Sequence, residues 1–153
     1  MRQFQADGLG YLQLQTTRPQ TVAYALTDSP VGQLAWIAEK FREWTDPAAE
    51  LPEDAVDRDQ LLTNVSIYWF TGTGASAAQF LYEAAHGHDW PGPSDVPQGW
   101  AVFAANDDLV RRLVDPDGRI EHWSEFDRGG HFAAMEAPDL LVEDVRAFFR
   151  KLR

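Results

Sequence analysis

Apolar residues recur three or four positions apart through much of the first half of the chain. Leu34, Ile37, Phe41 and Trp44 form one such stripe, the mark of a helix with one buried face. Ser29-Pro30 supplies its start, a capping residue followed by proline at the first helical position, and Asp46-Pro47 ends it. Upstream, Thr17 and Gln20 have the spacing of a capping box, with Thr17 as N-cap of a short helix carrying Val22, Ala23, Tyr24 and Leu26. Asp57 with Gln60 marks another start, and Leu61, Leu62, Val65, Tyr68 and Trp69 follow at helical spacing. Gly72 and Gly74 break that pattern before a helix from Ala75 to about Ala85. Residues 47–57 are acidic and proline-bearing, as expected of a surface loop, and His86 to Gln98 reads as loop.

After Gly99 the pattern changes. Trp100 to Ala104 is short and apolar, as a buried strand would be. Asp108 to Val114 reads as a helix, Asp115-Pro116-Asp117-Gly118 as a turn, and Ile120 to Phe126 as a second strand. Pro138 opens a last helix, with Asp139 at its positive end and Arg150, Lys151 and Arg153 at its negative end. Its expected buried face is Leu141, Val145, Phe148, Phe149 and Leu152. Strand, helix, strand, helix implies a parallel pair with a right-handed crossover, hence an α/β class. Two parallel strands are too few to stand as a sheet covered on both faces. A helical excursion before the last two strands of a larger sheet is what the α/β-hydrolase architecture supplies.

The remaining signals narrow the chemistry. The 153 residues suit one domain, and 44% hydrophobic content permits a packed core. A net charge of −11 disfavours nucleic acid and anionic membranes as partners. With no cysteine there is neither a disulfide frame nor a thiolate nucleophile. No signal peptide opens the sequence and no apolar run is long enough to span a bilayer, so the expected location is cytoplasmic. His86-Gly87-His88-Asp89 is too sparse for a metal centre, which needs three or four arranged ligands, and no metal or cofactor is expected. Gly72-Thr73-Gly74 ends a helix and is no phosphate loop, and there is no serine nucleophile elbow. Gly129-Gly130-His131 lies where a strand gives way to a helix. Its histidine is either a general base carried on a sharp turn or a loop histidine satisfied by hydrogen bonds.

Four runs carry a family resemblance: Gly10-Tyr11 leading to Gln15 through Thr21, Ala25 through Gly32, Leu61 through Thr73, and Arg128 through Glu136. In this order they resemble the C-terminal part of an epoxide hydrolase of the microsomal type. The resemblance implies a partial α/β-hydrolase fold: a helical cap over residues 1–98, then the last two parallel strands and their helices over 99–153. It also implies a reaction. An aspartate opens the epoxide while tyrosines protonate its oxygen, and a histidine then activates water to hydrolyse the alkyl-enzyme ester. On this sequence the resemblance makes His131 the water-activating base and Tyr11 the first cap tyrosine. Asp107, beside Asn106 at the aligned position, becomes the acid that orients His131. Tyr82 and Trp69 become substrate-binding residues, and the substrate a small apolar epoxide.

Besides Asn106, the sequence departs from the family in two places. Leu81 stands where the second cap tyrosine is expected, with Tyr82 beside it, a helical rotation of roughly 100° away. No strand-turn-helix bearing a nucleophilic aspartate precedes Tyr11. The 153 residues are therefore expected to be inactive alone. The alternative is a non-catalytic truncated or degenerate fragment, or a half that pairs with a separately encoded N-terminal half. Self-association is expected as well, because part of the apolar face of the sheet would be left uncovered.

Overall fold

The computed structural model describes residues 8–87, 95–104 and 109–153. In chain order its elements are α1 (Gly10–Thr17), α2 (Pro19–Asp28), α3 (Pro30–Trp44), α4 (Pro52–Ala55), α5 (Arg58–Thr71), α6 (Gly74–His86), β1 (Gly99–Val102), α7 (Leu109–Val114), β2 (His122–Glu125), α8 (Ala133–Glu136) and α9 (Pro138–Lys151). Two compact units result, and they interleave in sequence: Met1–Glu39 with Asp59–Pro91, and Lys40–Arg58 with Gly92–Arg153. The segment 40–58 thus belongs with the C-terminal strands.

The first unit is helical. Helices α1 and α2 both pack on α6. Val22, Leu26 and Ala78 form its buried core, with Leu14 and Trp36 against them. Ser29 caps as its position suggests, its Oγ accepting a hydrogen bond from the Gly32 N–H at 3.0 Å. Thr17 does not cap. It is the last residue of α1, and its hydroxyl donates back to the Gln13 carbonyl at 2.5 Å. The threonine-glutamine spacing fits a capping box, but a helix already occupies the residues before it, and Arg18 takes the N-cap position of α2 without a side-chain bond. The α3 stripe is only partly sealed: Phe41 is buried, Leu34, Ile37 and Trp44 are half-buried, and the polar Gln33 is buried instead. Gly72 has φ +65, a left-handed conformation that suits glycine and ends α5.

The second unit carries the sheet. Strands β1 and β2 pair in parallel, with Gly99 opposite His122 and Val102 opposite Glu125. Trp100 stacks on Trp123 and, just past the strands, Phe103 stacks on Phe126, an aromatic ladder along the pair. The expectation of a fully buried first strand fails: its residues run from exposed Gly99 to half-buried Val102. The reason is that, among the described residues, its main neighbours are β2 and α9, and they cover little of it.

A polar chain centred on a buried histidine ties β2 to α9. His122 is 8% exposed. Lys151 Nζ lies 2.8 Å from its Nδ1, and Asp144 Oδ1 lies 2.8 Å from its Nε2. An ammonium can only donate, so Nδ1 accepts, and Nε2–H donates to the carboxylate. The turn after α7 also forms as its sequence implies. Asp115 Oδ1 accepts the N–H of Arg119 at 2.6 Å, and Gly118 has φ +67.

Candidate active site

His131 sits in the loop between β2 and α8, in the second unit. Gly129 has φ +85, so the chain turns there as only glycine readily does. Gly130 is required for a different reason. A Cβ at this position would lie 2.6 Å from the Trp44 carbonyl oxygen and 2.7 Å from the Asp46 nitrogen. The loop therefore lies directly on the backbone at the end of α3. The His131 N–H donates to the Trp44 carbonyl at 2.8 Å. Its imidazole is exposed and meets the rings of Trp44 and Phe132 edge-on, each at 5.1 Å between centroids. Phe132 in turn stacks on buried Phe41 at 4.0 Å. Among the described residues no hydrogen bond reaches either ring nitrogen of His131.

Two carboxylates hold this loop. Gly129 N–H donates to Asp46 Oδ2 at 2.7 Å, Asp46 N–H to Glu136 Oε2 at 2.6 Å, and Phe132 N–H to Glu136 Oε1 at 2.9 Å. An open hollow of about 250 Å³ beside them is lined by Asp46, Asp54, Arg128 and Glu136, among others. Ala48, Ala49 and Ala55 are among the rest of its lining, so charged and apolar groups share the hollow. Just beyond, Arg128 donates to Asp139 at the start of α9. This hydrogen bond, the largest influence, holds the exposed Asp139 carboxyl below its usual range, against an opposing effect of desolvation.

The other residues singled out from the sequence are spread differently. Tyr11 on α1, Trp69 on α5 and Tyr82 on α6 all belong to the first unit, and each is half-buried. Packing of α1 on α6 brings the helices of the two tyrosines together. Tyr82 stacks on His86 at 4.1 Å, and the Nδ1–H of His86 donates to the Tyr82 carbonyl at 2.9 Å. Leu81, at the expected tyrosine position, is half-buried and carries no hydroxyl. Asn106 and Asp107 lie outside the described residues, as do His88 and Asp89. Among the described residues no group of His, Asp and Glu is arranged to hold a metal ion, and no helix is long and apolar enough to cross a membrane.

Sequence reasoning did not single out Asp46 or Glu136 as parts of this site. Glu136 stood at the end of the histidine run and Asp46 marked the end of a helix, but nothing in the order of residues joins positions 90 apart.

Known proteins resemble this chain over most of its length. No family model matches the chain. Individual proteins do. A Stigmatella aurantiaca protein bearing an epoxide hydrolase name is 47% identical over 154 residues, which cover 98% of this chain and 34% of that protein. Epoxide hydrolase 1 of Sus scrofa is 37% identical, covering 91% and 33%. Among solved structures, the juvenile hormone epoxide hydrolase of the silkworm Bombyx mori aligns with a TM-score of 0.75 at 32% identity, over 94% of this chain and 39% of the other. The Aspergillus niger epoxide hydrolase aligns with a TM-score of 0.72 at 27% identity, over 99% and 38%. The architecture is accordingly part of an α/β-hydrolase fold, its helices together with two parallel strands. The chain spans about a third of the length of the curated relatives it matches, and over that third it is homologous to the epoxide hydrolases of the microsomal type.

Proposed function

We propose that these 153 residues form the helical cap and the histidine-bearing end of an epoxide hydrolase. In this reading residues 1–98 act as the cap, although segment 40–58 packs with the later strands. His131 takes a proton from water, which then attacks the carbonyl carbon of an alkyl-enzyme ester and releases a diol. Tyr11 protonates the epoxide oxygen as the ring opens, and Tyr82, displaced by one position, assists it. Trp69 contributes apolar surface for the substrate. Asp107 accepts the second imidazole N–H and stabilises the charge that forms. The carboxylate that opens the epoxide comes from polypeptide outside this third of the relatives' length.

One observation carries the reading. The imidazole of His131 is exposed on a glycine turn, without a partner on either nitrogen among the described residues, within a run whose sequence resembles epoxide hydrolases. Buried His122, by contrast, spends both nitrogens on protein partners, whereas the exposed ring of His131 faces solvent, where water can reach it.

The experiment is a hybrid in which these residues replace the matching third of the Stigmatella aurantiaca protein, with the unmodified parent assayed alongside. The hybrid should convert styrene oxide to its diol, and the 153 residues alone should not. Loss of turnover on His131→Ala in the hybrid supports the reading; undiminished turnover contradicts it. A second, non-catalytic reading draws on Leu81, and it predicts an inactive hybrid beside an active parent.

A further inference from the structure

We infer that Asp46 and Glu136 are positioning residues for His131, a pair of two-armed acceptors that clasp its loop onto the end of α3. The functional meaning of the clasp rests on the proposed role of His131, while its existence rests on geometry alone. Each carboxylate accepts backbone N–H groups on both of its oxygens. Asp46 takes Ala48 at 2.9 Å on Oδ1 and Gly129 at 2.7 Å on Oδ2. Glu136 takes Phe132 at 2.9 Å on Oε1 and Asp46 at 2.6 Å on Oε2. The residue after His131 and the residue two before it are thereby tied to one another through Asp46. His131 itself, between them, donates its N–H to Trp44.

The chemistry of the acceptors matters more than their bulk. Hydrogen bonds to an ionised carboxylate are shorter and stronger than neutral ones. An asparagine or glutamine of the same shape offers one accepting oxygen and turns an NH₂ toward the second N–H, so donor would face donor. If the two side chains merely filled space, the amides would serve as well. Gly130 completes the clasp, because any side chain there would push the loop off the Trp44–Asp46 backbone. With the backbone pinned on both sides, the direction of the His131 imidazole is set by its own side-chain torsions and by the flanking Trp44 and Phe132 rings.

The test uses nuclear magnetic resonance on the 153-residue chain, with Glu136→Gln and Asp46→Asn as the variants. The His131 amide bonds to Trp44 and to neither carboxylate, so its hydrogen exchange reports the clasp and not the deleted bond. We expect each variant to speed that exchange by roughly tenfold or more, as local opening becomes easier. The His131 imidazole proton resonances, which the Trp44 and Phe132 ring currents set, should move as well. The His122 resonances and the exchange of the Phe126 amide, bonded to Val102, should stay as they are. Exchange and imidazole resonances of His131 unchanged in both folded variants would overturn the inference. If the variants do not fold, the parent chain decides. Protected Gly129, His131 and Phe132 amides support the clasp, and unprotected ones beside a protected Phe126 overturn it. None of these readouts depends on turnover, so an active hybrid that tolerates His131→Ala would remove the base and leave the clasp standing.

Discussion

Each unit buries a small core and leaves other large apolar side chains in solvent, among them Phe70 and Phe80 in the helical unit, but the two cores are built differently. In the first, Val22, Leu26 and Ala78 are sealed between α2 and α6. In the second, Phe41, Val56 and Ala137 are sealed, but α9 leaves much of its apolar side in solvent: Val145 is 44% exposed, Phe149 55% and Leu152 43%. A helix pair can bury its stripes against each other. A parallel strand pair has two faces and two edges to cover, and among the described residues each strand pairs only with the other. The difference teaches where each part's stability comes from. The helices draw on ordinary core packing. The loop that carries His131 draws on a local anchor, Phe41 under Phe132, together with hydrogen bonds to the end of α3.

Substitutions can break this comparison in order of expected effect. Phe41→Ala removes a ring that is 1% exposed and stacked at 4.0 Å. It should cost about 3–5 kcal/mol in urea unfolding followed by probes in the second unit. Leu26→Ala should cost about 2–5 kcal/mol, read from hydrogen exchange in α2 and α6. His122→Ala leaves Asp144 and Lys151 facing an empty site, and should cost about 1–3 kcal/mol. Phe149→Ala should change stability by no more than about 0.5 kcal/mol, while reducing self-association in sedimentation. A cost near that of Leu26→Ala would show that this face is packed and the comparison mistaken.

The smallest effect concerns pH. The Asp139 carboxyl is held low by Arg128, so the unfolded chain binds a proton there more readily than the folded one. The stabilisation is present above the unfolded value and is lost as pH falls through the folded one. Arg128→Ala should return the Asp139 titration toward the ordinary carboxylate range, followed by its side-chain carbon resonance.

Much of the fold was legible where local chemistry decides it. Ser29-Pro30, the glycine break at 72–74, the Asp115–Gly118 turn and the charge bias of α9 each act within a few residues, and each appears as read. The resemblance to epoxide hydrolases, and the α/β-hydrolase architecture with it, was legible from four ordered runs. Thr17 was misread because its spacing to Gln20 suits a cap, whereas the preceding turn of α1 offered its hydroxyl a carbonyl instead. The burial of Gln33, Lys40 and His122 was not legible, since polar residues give no hint of burial until their partners are known. The clasp was illegible for the same reason. Asp46 and Glu136 meet only after α3 and the strand pair are in place.

In the proposed function His131 serves the second half of the reaction, hydrolysis of an ester already formed. The most direct measurement is the intact mass of the hybrid carrying His131→Gln after exposure to styrene oxide. Ring opening needs no base at position 131, so a stable protein adduct heavier by one epoxide is expected, with no diol released. Release of diol at the parent's rate without any adduct would contradict it.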